Sequence, residues 1–306
     1  MTSESSINRA CDRLIDPYVA HRSLLFTIAY EILGSATDAE DVVQETWLRW
    51  ADLGDGQADV RDPRAYLVRI VTRQALNRLR TLARRREDYV GEWLPEPVLT
   101  GPDVSEDLEL AESISMAMLI VLETLTPVER AVFVLREAFD VSYDEIALAV
   151  NRTQSAVRQI AHRARERVSA RRPRWEVDRA KQDAVVERFM AALHTGDMQS
   201  LLDVLAPDVV LIADGGGIAS AIRIPLVGVA TIGKALSGFQ RKVPAGAVLA
   251  PTRLNGGPAL RLDVDGTLDT AISLVVIDGR ISHIFVVRNP EKLKRLEEEV
   301  PLGRMA

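Results

Sequence analysis

Five polar side chains on one predicted helix, Arg69, Arg73, Asn77, Arg80 and Arg84, follow one another at intervals of 4, 4, 3 and 4. At about 100° per residue they fall within a sector of roughly 80°. Opposite them lies an apolar face of Leu67, Ile70, Val71, Ala75, Leu79 and Leu82. A cationic stripe with no acid on it repels itself, so a plain solvated face is the poorer explanation. Phosphate is the natural counterpart: guanidinium groups pair with its oxygens two bonds at a time, and released counterions add affinity. Asn77 can also read a base edge.

A second basic helix, from Gln154, divides in the same way. Val157, Ala161, Ala164 and Val168 form a packing stripe, while Ser155, Arg158, Gln159, His162 and Arg165 point away from it. A short helix, a tight turn at residues 150–153 and this longer basic helix make a helix-turn-helix pattern. In that motif the N-terminal part of the second helix enters the major groove. Gln154, Ser155, Arg158 and Gln159 are therefore base-reading candidates, with Arg163, Arg165 and Arg167 nearer the phosphates. His162 has no second ligand near it in sequence, and no metal site is expected. A contrasting acidic helix carries Asp38, Glu40, Asp41, Gln44, Glu45 and Trp47; it repels nucleic acid and suits a basic protein surface.

Charge is sorted along the chain in the same sense. The net charge of −6 comes entirely from residues 1–177, with 23 Arg, no Lys and 29 acids; residues 178–306 balance at 15 and 15. Residues 69–86 hold seven Arg and no acid, 87–112 nine acids and no base, and 151–174 eight Arg against Glu166. The shift in composition places a boundary near Arg171–Arg174. At 306 residues the chain is long enough for two or three domains. The single cysteine, Cys11, excludes an internal disulfide framework, and no run is apolar and long enough for a membrane helix. No signal peptide is expected either, and the chain reads as cytoplasmic.

The elements that must position these residues follow from periodicity and caps. Helices are expected over 8–85, with Gly34 as a stop, Asp38 as the next cap and Pro63 in a first turn. Residues 87–112 read as an extended linker, long enough to imply a task. Four helices fit from Glu112 to about Arg172, two opened by the capping patterns Thr126–Glu129 and Ser142–Glu145. Beyond Val177 two helices end at Gly196 and near Leu205, a strand follows at 209–212, and 228–240 suits a further helix. Asn255-Gly256, Asp265-Gly266 and Asp278-Gly279 mark hairpins between β-branched runs, giving an α+β unit with an antiparallel meander.

In this order the motifs resemble the extracytoplasmic-function sigma factors of bacterial RNA polymerase. Asp38 to Trp47 looks like the region-two helix that such factors dock on the polymerase, which implies polymerase contact by Asp38, Asp41, Gln44, Glu45 and Trp47. Arg61 to Leu67, continuing through Asn77 to Arg80, is similar to the part that opens and reads the −10 element. Leu125 to Arg130 and Tyr143 to Arg165 look like region four, the −35 reader. The remainder resembles the SnoaL-like extension fused to one type of these factors. That type carries a Trp-Leu-Pro-Glu-Pro motif, here Trp93, Leu94, Pro95, Glu96 and Pro97. It also carries an Asp-Gly-Gly-Gly-Lys loop, here Asp214, Gly215, Gly216 and Gly217 with Ile218 in place of the lysine, and a late motif matched by Asn289 to Leu293. The resemblance implies a built-in regulator, with the two motifs in contact.

The expected organisation is multidomain: a region-two helical domain at 1–86, an acidic linker at 87–112, a region-four helix-turn-helix domain at 113–174, and a SnoaL-like α+β cone with a curved antiparallel sheet at 175–306. Its expected partners are core RNA polymerase and promoter DNA, with no membrane, no cofactor, a monomeric chain and room for a small-molecule ligand in the extension. Two other classes are weighed against this reading. An enzyme of the SnoaL-like type would draw on His194, Asp208, Asp214 and His283, whose separation in sequence does not bring them to one pocket. A one-component repressor explains the helix-turn-helix but neither the acidic helix nor the first Arg stripe.

Overall fold

Local signals set most element ends. The computed structural model describes residues 16–87, 89–101, 104, 107–171, 178–240 and 243–304, without the side chains of 83–87 and 240. The helices are α1 Pro17–Leu33, α2 Ala36–Ala51, α3 Pro63–Glu87, α4 Leu108–Ser113, α5 Met116–Leu122, α6 Pro127–Phe133, α7 Tyr143–Val150, α8 Gln154–Ser169, α9 Arg179–Thr195, α10 Met198–Val204, α11 Val229–Gln240 and α12 Pro290–Leu293. The strands are β1 Leu205–Asp214, β2 Leu226–Val227, β3 Val248–Leu254, β4 Gly257–Val264, β5 Thr267–Ile277 and β6 Arg280–Val287. Contacts gather these into two units, each discontinuous in sequence. One takes the described residues up to Thr81, then Leu125–Val168 and the tail from Leu302; the other takes Leu82–Thr124 and Ser169–Pro301. Cys11 and residues 172–174 of the expected boundary lie outside the described residues.

In the first unit, Gly34 ends α1 with φ 66°, a conformation glycine adopts without cost. The cap of α2 is Ser35, whose hydroxyl accepts from the Asp38 amide at 3.1 Å, and not Asp38 as the spacing suggested. Serine stands directly after the stop and takes the cap first, which leaves the Asp38 carboxylate for an ion pair. Asp62 accepts from the Ala65 amide at 2.9 Å and opens α3 ahead of Pro63. Leu24, Ile28, Ile32, Val43, Trp50, Leu67 and Val71 are all buried in this unit's interior. Both expected capping boxes form, at Thr126/Glu129 and Ser142/Glu145. A π-type turn, Val134–Ala138, follows α6, and Asn151 at φ 53° ends α7 so that α8 can start at a new angle.

The second unit is built on a six-stranded sheet ordered β2-β1-β6-β5-β4-β3. The three hairpin turns have positive φ at both central residues, such as Asn255 at 55° and Gly256 at 69°, which matches the twist of the flanking strands. The sheet is mixed, because β1 pairs β6 in parallel. This corrects the all-antiparallel expectation. Tight turns impose antiparallel pairing only on β3 to β6, while β1 reaches β6 through a long connection that carries α11 and the meander. Along each strand, side chains alternate between two buried faces. Leu211, Leu260, Leu274 and Ile284 pack beneath α9, α10 and α11. On the opposite face Ala259, Ala271, Val275, Phe285 and Val287 pack with Leu94, Met116, Ala117, Leu293 and Leu296. The acidic linker therefore joins this second face through Leu94 and Leu99, and its last turn before α5 is helical (α4) where the sequence predicts an extended chain.

Candidate nucleic-acid interface and linker clasp

The stripe on α3 is laid out as its spacing requires. Arg73, Asn77 and Arg80 are exposed, and Arg69 is half-buried with its guanidinium 5.3 Å from the Tyr66 ring centroid. Arg80 donates to the Asn77 amide oxygen at 3.0 Å, so the two present one joined polar surface. Arg73 donates to the carbonyls of Leu148 and Ala149, at 2.7 and 3.3 Å, at the end of α7. There it meets the negative end of a helix dipole in place of phosphate. The side chain of Arg84 lies outside the described residues.

On α8, Val157, Ala161, Ala164 and Val168 are buried. Ser155, Arg158, Gln159, His162, Arg163 and Arg165 are exposed, and Gln154 is half-buried. Arg158 lies 5.5 Å from the Tyr143 ring centroid, and Arg165 makes a two-pronged ion pair with Glu137 at 2.7 and 3.2 Å. That hydrogen-bonded pairing holds Arg165 more firmly charged than usual. His162 stands 3.5 Å from Glu166. Exposed pairs of this kind are worth about 0–1 kcal/mol, so an incoming phosphate displaces them easily.

The acidic face of α2 is only partly open. Arg78, which faces away from the stripe, bonds Asp38 at 2.6 Å and Asp41 at 2.8 Å, while Arg22 takes Glu40. Gln44 and Glu45 stay exposed, beside Trp47, which is 38% exposed and tilted against Tyr18 at 5.0 Å. What stays open is thus a small acidic patch beside Trp47, joined by the exposed Leu48.

In the second unit a buried carboxylate organises the linker. Asp214 is fully buried at the end of β1, and accepts from the Tyr89 hydroxyl (2.6 Å), the Leu94 amide (2.9 Å), the Gly216 amide (2.9 Å) and the Lys292 ammonium (2.7 Å). Lys292 also donates to the Leu94 carbonyl and lies 4.2 Å from the Trp93 ring centroid and 4.9 Å from that of Tyr89. Burial, then the bond to Asp214, pushes the Tyr89 hydroxyl well above its usual range. Asn289 completes the set by donating to the Tyr89 oxygen at 2.9 Å. Gly216 has φ 61°, and a methyl group there would meet Asn289 at 2.3 Å; only glycine fits. Gly215 is equally constrained, since a methyl group on it would stand 2.2 Å from the Ala219 carbonyl, and Gly217 at φ 71° faces Val90. Leu94, Pro95 and Pro97 are buried, Trp93 and Glu96 half-buried, and Ile218 is 62% exposed.

A second clasp holds the far end of the linker. The fully buried Asn255 accepts from the Val98 amide at 3.2 Å and donates to the Ile114 carbonyl at 2.8 Å, and Gly256 donates to the Thr100 hydroxyl at 3.0 Å. Sequence reasoning does not single out Tyr89, Asn255, Lys292 or Arg78 for these contacts. Lys292 and Asn289 lie inside the late motif, and Asn255 inside a hairpin signal, but nothing in the spacing says what they touch. The four acid-base groups weighed for catalysis are not gathered. His194 lines a cavity on one sheet face; Asp214 is spent in the clasp on the other; Asp208 is exposed. His283 stacks on Phe285 at 5.8 Å, with its pKa lowered by burial against a smaller opposing effect of Asp208.

The cavity measures about 630 Å³ and lies between α9, α11 and the sheet, lined by Phe189, Leu211, Leu236, Ile272, Ile284 and Val286 among others. Among the described residues no helix is long and apolar enough to cross a membrane.

Comparison with known proteins agrees with this layout. The family model for Sigma-70 region 2 matches residues 18–85, and that for Sigma-70 region 4 matches 115–168. The ECF RNA polymerase sigma factor SigJ of Mycobacterium tuberculosis is 35% identical over 291 residues, 91% of this chain and 92% of that protein. The probable ECF RNA polymerase sigma factor SigI of the same organism is 31% identical, over 93% and 96%. The crystal structure of M. tuberculosis SigJ superposes with a TM-score of 0.73 at 32% identity, covering 90% of this chain and 97% of that one. With two helical sigma segments followed by an α+β domain, and with relatives alike over nearly their full length, the chain belongs to the ECF RNA polymerase sigma factors.

Proposed function

We propose that this protein binds core RNA polymerase and directs it to promoters, with the α3 stripe (Arg69, Arg73, Asn77, Arg80, Arg84) at the −10 element and the α8 face (Gln154, Ser155, Arg158, Gln159, His162, Arg163, Arg165) at the −35 element. The observation that carries the reading is the pair of exposed basic helix faces, one on each of the segments matched to sigma regions 2 and 4. Asp38, Asp41, Gln44, Glu45 and Trp47 form the polymerase-docking surface in this reading. Phosphodiester chemistry belongs to the polymerase; this chain supplies positioning and base reading, as a single copy and in the cytoplasm where the polymerase works. Functionally the chain divides at 1–86, 87–112, 113–174 and 175–306.

The C-terminal domain acts in this account as a built-in regulator through the Trp93–Pro97 and Asp214–Gly217 contact. Support comes from the clasp around Asp214 and from the burial of Leu94, Met116 and Ala117 on the sheet, since Met116 and Ala117 belong to the segment matched to region 4. A domain that holds part of the region-4 segment can set when that region is available. Its cavity adds a second role, that of a site for a small molecule. Run-off transcription with core polymerase tests the reading, comparing the full chain with one truncated after Arg174. Initiation that depends on the sigma segments and changes in level or in salt sensitivity on truncation is expected; identical behaviour of the two chains would remove the regulatory role.

A further inference from the structure

The cavity's walls say what it can hold. Register places its lining in rows across the strands: Leu211 and Ile284 in one, Ala213, Val286 and Ile272 in the next, and Leu249, Leu262 and Thr270 in the last. The first two rows are wholly apolar. Polar groups collect at the end of the third, where Arg288 follows β6. The Arg288 guanidinium takes both oxygens of Asp269 at 2.9 and 3.0 Å and donates to the Ser220 carbonyl at 2.7 Å. The fully buried Thr270 hydroxyl donates to Asp269 at 2.6 Å and so serves that pair, with no accessible surface of its own. Phe239, 39% exposed, and Val248, 58% exposed, stand among the lining residues and give the cavity an apolar mouth.

A volume of about 630 Å³ is that of an ordinary small-molecule pocket. The guanidinium at its polar end is already matched by a carboxylate in bidentate geometry. Asp269 in turn is held below the usual carboxylate range, because bonds from Arg288 and Thr270 outweigh the opposing effect of burial. An incoming anion would have to compete with Asp269 for that cation and would lose its water, which is costly in apolar surroundings. A neutral oxygen meets no such penalty and finds the paired guanidinium at the polar end. We propose that this cavity binds an uncharged, mainly apolar molecule that carries one hydroxyl or carbonyl oxygen, seated at Arg288. The inference rests on the reading of the cavity as a small-molecule site, and names the class that site takes.

The test uses the full chain and the neutral fluorescent probe 1-N-phenylnaphthylamine, displaced by 1-dodecanol or by dodecanoate at pH 8. Saturable, blue-shifted emission at one probe per chain is expected, with dodecanol displacing it at roughly tenfold lower concentration than dodecanoate, since only the carboxylate must be desolvated as a charge. Replacing the pair together, Asp269→Leu with Arg288→Met, should weaken dodecanol roughly five- to tenfold, the worth of one hydrogen bond, and leave the probe itself unchanged. Ala235→Trp should fill the space between α11 and the sheet and abolish both. Dodecanoate binding as well as dodecanol, or the paired replacement leaving dodecanol unchanged, overturns the assigned class while the site stands. No saturable probe and no displacement overturns the site. If Ala235→Trp fails to fold, the competition and the paired replacement still decide.

Discussion

Replacing Lys292 with methionine keeps the stem of the side chain and removes its charge from a place where water cannot replace it. The ammonium contacts Asp214 at 2.7 Å and the Leu94 carbonyl, and faces the rings of Trp93 and Tyr89. Removing one partner of a buried ion pair costs about 3–5 kcal/mol, because the other charge stays buried. Asp214 keeps three donors, from Tyr89, Leu94 and Gly216, so the lower end, about 3 kcal/mol, applies here. At about 1.4 kcal/mol per decade this is roughly a hundredfold rise in opening of the linker from the sheet. Amide exchange at Leu94, whose N–H is bonded to Asp214, reads that opening directly. Asp214→Asn should be comparably harmful, and the double variant should cost less than the sum of the two by about 2 kcal/mol, the signature of a coupled pair. Unchanged exchange at Leu94 in Lys292→Met, or strict additivity in the double variant, would refute the claim that a buried charge pair secures the linker.

Three further outcomes follow from the same geometry. Tyr89→Phe removes a bond to a carboxylate and should loosen the linker by about 1.5–3 kcal/mol. Because the Tyr89 hydroxyl titrates higher folded than unfolded, its stabilisation is complete below its ordinary pKa of 10.0 and is lost as pH rises beyond it. Alkaline titration at 295 nm should therefore show one late, unfolding-linked tyrosine that Tyr89→Phe lacks. Glu129 behaves in the opposite sense. Burial tends to raise its pKa, but bonds from Thr126 and the nearby Arg167 outweigh this and leave it lowered, so its contribution is held above its ordinary 4.5 and lost as pH falls. Thr126→Ala should cost about 1 kcal/mol and reduce that acid sensitivity, read from the urea midpoint between pH 3 and 7. Arg80→Ala and Arg158→Ala should keep the fold and weaken promoter complexes. Loss of a phosphate contact lowers affinity alike across sequences and reduces the salt slope by about one, whereas loss of a base contact costs about 1–3 kcal/mol and relaxes specificity at one position. Mobility-shift titrations with −10 and −35 variants at several salt concentrations separate the two.

What the sequence discloses is what is local. Pro63, Gly34 and Asn151 end or open helices through backbone preferences that need no distant partner. The capping boxes at Thr126 and Ser142 and the three hairpin dipeptides are equally self-contained. The α3 stripe is legible because helical geometry alone puts Arg69, Arg73, Asn77 and Arg80 on one side. Long-range pairing escapes such reasoning. Asp214 and Lys292 are separated by 78 positions and Tyr89 and Asp214 by 125, and no periodicity connects them. The parallel pairing of β1 with β6 depends on a connection of some length that pattern does not orient. Asp38 reads as a cap until Ser35 is seen to stand closer to the helix start, and the same carboxylate then turns out to hold Arg78. The linker reads as extended because its apolar residues, Leu94, Val98 and Leu99, are too sparse for a helix; Leu94 and Leu99 pack on a sheet that begins more than a hundred residues later.

The central claim is that two basic helix faces on one chain serve the polymerase at two promoter elements. It is tested most directly by measuring affinity of the purified full chain for core RNA polymerase at moderate salt, together with open-complex formation on templates altered at −10 or at −35. The account predicts a saturable complex whose open-complex yield falls on both altered templates. A chain that shows no affinity for the core enzyme, or forms the same open complexes on every template, contradicts it.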